Sequence, residues 1–137
     1  MAKTWLHRLF GAGQIPKALR TKLEGEGLIL LDEGIGGSST YKNFRAPGKA
    51  FAWKRSGFTG AVALTNVRFV AFAFGRQIIN VPFDDPRFQQ LQCTRDENGD
   101  LRVVFDPAIF HDDWSGSVEV RLSTEQADLL YQRLTKN

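Results

Sequence analysis

Two histidines, one cysteine and fifteen carboxylates carry most of the ligand, nucleophile and proton-transfer chemistry available to this 137-residue chain. His111-Asp112-Asp113, with Asp106 nearby, is the cluster whose residue types suit a metal. A catalytic zinc takes three protein ligands that converge, and neighbours in a loop do not converge. The other histidine, His7, lies in the N-terminal segment, and calcium would need six or more oxygens. The cluster therefore reads as an acidic loop, and neither a metal nor a cofactor is expected. Cys93 should share a strand face with Leu91 and so read as a small core residue. Ser115 has His111 close in sequence but no Gly-x-Ser-x-Gly elbow around it. Asp84 and Asp85 are adjacent before a proline, so in a strand they would point apart and form no acid/base pair. Gly34-x-Gly36-Gly37-Ser38-Ser39 resembles a phosphate cradle in composition only. A strand pattern follows it, and no helix N-terminus aims amides at an anion. No catalytic set emerges, and the chain reads as non-enzymatic.

The charge pattern is more informative than these clusters. The formal net charge is +3, too mild by itself to imply nucleic acid, and none is expected as a partner. Residues 1–60 carry ten basic and four acidic side chains, whereas residues 61–137 carry eight and eleven. The first acid is Glu24, so the basic N-terminus with its Trp5 and Phe10 suits either anionic lipid or an acidic partner. At 42% hydrophobic and 24% charged, the composition is that of an ordinary globular domain. A single cysteine precludes an internal disulfide, and the N-terminal apolar stretch is too short for a signal peptide, which together read as cytoplasmic.

Period and punctuation then give the elements. Trp5, Leu6, Leu9 and Phe10 share a helical face, and Pro16 suits the start of a second helix whose apolar side is Ala18, Leu19 and Leu23. Residues 1–24 are expected as a helical arm and 25–137 as the domain it serves. From Leu28 the period becomes two. Strands are expected over 28–32, 40–45, 50–54, 59–65, 67–74, 77–83, 88–94, 101–106 and 118–122, with the Gly/Ser run 34–39 as a loop and Ser56-Gly57 as a turn. The expected count is seven or eight short antiparallel strands. Ser123-x-x-Gln126 resembles a capping box, opening a C-terminal helix striped with Ala127, Leu130, Tyr131 and Leu134. Residues 67–74 hold one polar side chain on two faces, so both faces need cover.

Antiparallel hairpins closed by one amphipathic helix make the fold mainly β, a barrel or sandwich. The order resembles the pleckstrin-homology-like (PH-like, GRAM-type) bacterial family, a bent seven-stranded antiparallel barrel capped by a C-terminal helix. Leu64-Thr65-Asn66-Val67-Arg68-Phe69 is similar to a hairpin frequent in that family. The resemblance implies a binding module acting through protein contact or self-association. Trp5, Phe10, Phe72 and Phe74 are the apolar anchors expected for such contact. The alternative, behind that first reading, is a peripheral membrane module. The family's lipid-binding members hold headgroups beside the first strand–strand loop, which by position implicates Lys42, Arg45, Lys49, Lys54 and Arg55. Strict alternation puts Lys42 and Arg45, three apart, on opposite faces. A third reading, a barrel holding a small apolar ligand, conflicts with a C-terminal helix that should plug the space such a ligand needs.

Overall fold

In the computed structural model, residues 14–135 are described. The elements run α1 (Lys17–Gly25), β1 (Leu28–Ala46), β2 (Lys49–Thr65), β3 (Arg68–Ala73), β4 (Arg76–Pro82), β5 (Gln92–Arg95), β6 (Leu101–Phe105), β7 (Ser115–Ser123) and α2 (Ala127–Thr135). Short 3-10 turns at Pro86–Gln90 and Pro107–Ile109 precede β5 and β7. All seven strands form one antiparallel sheet in the order β4-β3-β2-β1-β7-β6-β5, curled into a half-barrel with β4 and β5 at its edges. The expected mainly β class and the C-terminal helix are thus both present.

Two long strands replace four expected short ones. The Gly/Ser run 34–39 is not a loop but the middle of the 19-residue β1, which pairs with β2 on one side and β7 on the other. Gly37 serves close approach. A Cβ on Gly37 would lie 2.5 Å from the Arg121 carbonyl oxygen and 2.7 Å from the Phe58 ring. A register shift between Glu33 and Ile35, with Gly34 at φ 71°, bends the strand there. Ser56-Gly57 likewise continues β2 instead of turning the chain. Residues 86–90, which take in the first three residues of the expected 88–94 strand, form a 3-10 turn capped by the Asp85 carboxylate, which accepts the Arg87 N–H at 2.9 Å. The α2 cap also shifts by one residue. Thr124 Oγ1, not Ser123, accepts the Gln126 N–H at 3.1 Å.

Each face of the sheet buries its own core. Inside the curl, Phe69, Ile79, Val81, Leu101, Val103 and Leu122 are almost wholly buried, and α2 lays Ala127, Leu130 and Leu134 on them. On the outside, Val70 and Phe72 of β3 and Ala61 and Ala63 of β2 pack against Ile15 and Leu23. The two-faced cover expected for residues 67–74 holds for Phe69 to Phe72, with α1 and Ile15 supplying the outer half, whereas Val67 and Phe74 at the ends are exposed. Two carboxylates clip α1 down. Glu33 accepts the Ile15 N–H at 2.8 Å and pairs with Arg20, and Glu26 accepts Arg68 Nε at 3.0 Å and Thr65 Oγ1 at 3.2 Å. The arm's first segment, including Trp5 and Phe10, lies outside the described residues.

Candidate functional site

The β1–β2 hairpin carries the basic residues. Its turn, Pro47-Gly48, has Gly48 at φ 75°, and Ala46 pairs with Lys49 across it. Further in, Lys42 stands opposite Trp53, Tyr41 opposite Lys54 and Thr40 opposite Arg55. β3 joins β2 only from Gly60 onward, so residues 49–58 form a free edge. Lys42, Arg45, Lys49, Lys54 and Arg55 are all exposed. Trp53, between two of them, is 62% exposed, and Lys54 Nζ sits 4.6 Å from the Phe51 ring centroid.

The two-face argument for Lys42 and Arg45 fails here. Asn43 has φ 50°, and the β1–β7 register slips between Lys42 and Arg45. Tyr41 and Phe44, three apart, consequently meet the same side. Their ring centroids are 5.0 Å apart and lie 6.0 and 5.9 Å from Phe51. Alternation is broken at this step, so it no longer separates the two cations.

Electrostatically the hairpin stands apart from the rest of the chain. Residues 34–83 contain no Asp or Glu, a signal readable in the sequence but hidden by counting charge over halves. Arg20, Arg68, Arg87, Arg95, Arg102 and Arg121 each hold a carboxylate. Among the described residues, none of the five hairpin cations makes an ion pair, nor does Arg76 at the neighbouring β3–β4 turn. Cations on a free edge also discourage strand pairing with other chains. An edge guarded only for that purpose has no use for a largely exposed tryptophan.

The β3–β4 turn adds a second anomaly. Phe74 and Gly75 connect Ala73 to Arg76 with φ of 52° and 77°. A two-residue turn with both φ positive is the type I′ hairpin, which favours Asn-Gly and disfavours a bulky first residue. Phe74 is nonetheless there, and it is 56% exposed. A residue both conformationally disfavoured and solvent-exposed points to a use other than stability. Phe72 differs. At 4% exposure it is packed beneath α1 and offers no surface to a partner in this arrangement.

The remaining sequence candidates separate. The His111 ring stacks on Trp114 at 3.7 Å, and Asp106 accepts the Ala108 N–H. No group of three His, Cys, Asp or Glu side chains among the described residues can hold a metal ion. Trp114 in turn meets Phe44 edge-on at 5.4 Å, tying the β6–β7 loop to the hairpin. Glu119 belongs to a structural network. Burial pushes its carboxyl up, but hydrogen bonds from Arg121 and Arg102 outweigh this and hold it below the usual range. Cys93 is partly buried and packs on the inner core, and burial pushes its thiol from the usual 9.0 up to about 11. At neutral pH a disulfide reagent should therefore label it roughly a hundredfold more slowly than a free thiol, and at full rate in denaturant. Fast native labelling would contradict the packing of β5.

Among the described residues, no helix is long and apolar enough to cross a membrane. No family model, curated protein or solved structure matches this chain.

Proposed function

We propose that this chain is a non-enzymatic, PH-like binding module that docks on anionic membrane surfaces through its β1–β2 hairpin. The observation that carries the reading is five exposed cations on the β1–β2 hairpin, Lys49, Lys54 and Arg55 of them on the free edge of β2 beside an exposed Trp53, none of the five ion-paired among the described residues. Exposed cations without carboxylate partners and an interfacial aromatic suit a surface of anionic headgroups above acyl chains. The strand order, the long first hairpin and the helix after the last strand support the PH-like assignment. Of the apolar anchors expected for self-association, the two that are described divide, Phe74 being exposed and Phe72 buried, so Phe72 lends the protein-contact reading no support.

Co-sedimentation with vesicles tests this directly. Binding to vesicles rich in phosphatidylserine, none to phosphatidylcholine alone, and loss above about 0.5 M salt are expected. Replacing Phe74 with Asn should weaken vesicle binding while leaving the melting temperature unchanged or higher, because Asn suits the type I′ turn. Equal binding to both vesicle types, or preference for duplex DNA over either, would overturn the membrane reading.

A further inference from the structure

Beside the hairpin, the open side of the half-barrel leaves a groove in two adjoining parts of about 220 and 480 Å³, both lined by Ser39, Tyr41, Arg76 and Ile78. Phe105, Phe110 and Trp114 wall the first part, and Phe58 and Phe74 the second. Lys49 stands at the first part, so the cations here are Lys49 and Arg76, with no acid among the lining residues. The combined space falls in the size range of small-molecule sites, ~300–1,000 Å³.

The C-terminal helix does not plug this space. No residue of α2 lines either part. α2 lies at the other end of the sheet, where Arg133 lines a separate small cavity with Ile29, Leu64 and Phe83. Ile29 and Ser39 are ten residues apart along β1, roughly 33 Å of extended chain. The helix closes one end and leaves the end beside the hairpin open.

From this geometry we infer a ligand site for a free single-chain carboxylate amphiphile, a fatty acid. Its tail lies along Tyr41, Phe58, Phe74 and Ile78, and its carboxylate meets Arg76, with Lys49 as a second positive charge. A guanidinium fork matches a carboxylate in two parallel hydrogen bonds. Two cations beside aromatic walls suit one negative charge on an apolar chain better than a polyanionic headgroup. The site shares Lys49 with the membrane-docking surface but does not depend on docking.

Titration of the full chain with sodium dodecanoate below its micelle threshold, followed by amide NMR, tests the inference. One-to-one saturable binding is expected, with shifts centred on Tyr41, Ile78, Phe110 and Trp114. Acetate should produce no such shifts, and Arg76→Gln should weaken binding about tenfold. Neutralising Lys42, Arg45, Lys54 and Arg55 should abolish vesicle binding yet leave dodecanoate affinity within a factor of two, which separates the two readings. Absence of saturable binding, shifts confined to the α1 face, or an unchanged affinity in R76Q would overturn the site. Arg76 is exposed and unpaired among the described residues, so R76Q should fold; an unchanged melting temperature checks this.

Discussion

Vesicle binding should fall at least roughly a thousandfold when Lys42, Arg45, Lys49, Lys54 and Arg55 are all replaced by Gln, since each basic residue near an anionic surface contributes ~1 kcal/mol. The variant should remain folded. None of the five makes an ion pair among the described residues and all are exposed, so each substitution is expected to shift stability by no more than about 0.5 kcal/mol. Single substitutions should each weaken binding about fivefold, with similar effects across the five because the attraction is diffuse. Trp53→Ala should behave differently. It removes an apolar contact, so the loss should persist at high salt, whereas the losses from the cations should shrink as screening grows. A fall concentrated in one cation would instead indicate a specific headgroup site.

The largest stability effect is expected at Gly60. A Cβ there would lie 2.1 Å from the Phe72 carbonyl oxygen and 2.9 Å from Phe58 Cε1. The first of these atoms is backbone, so relief requires β2 and β3 to separate where Gly60 pairs with Ala73. Gly60→Ala should cost about 3 kcal/mol and lower the melting temperature by about 10 °C. Gly36 is the matched control. It lies in the same sheet, and a Cβ added there would meet nothing within 4 Å, so Gly36→Ala should leave stability nearly unchanged. Equal behaviour of the two variants would contradict the close approach of β3 to β2.

That contrast also shows what the sequence conceals. Residues 34–39 look like a loop because Gly and Ser are locally turn-forming. The smallness of Gly37 answers to the Arg121 carbonyl and the Phe58 ring, partners that are remote along the chain. The two-faced burial of residues 69–72 is legible because it is written into the strand itself, and Phe69 and Phe72 enter different cores. Alternation misleads at Lys42 and Arg45, where the positive φ of Asn43 resets the faces. The cations themselves are readable from sequence. Their isolation from carboxylates is not, because pairing is a property of the folded sheet. Nor is the groove, whose walls come from residues as distant as Ser39 and Val120.

Amide hydrogen exchange in the presence of phosphatidylserine vesicles tests the docking surface most directly. Protection is expected across residues 42–57 and 74–76, with α2 exchanging as it does in free protein. Protection centred on α1 or α2, with the hairpin unaffected, would contradict the account.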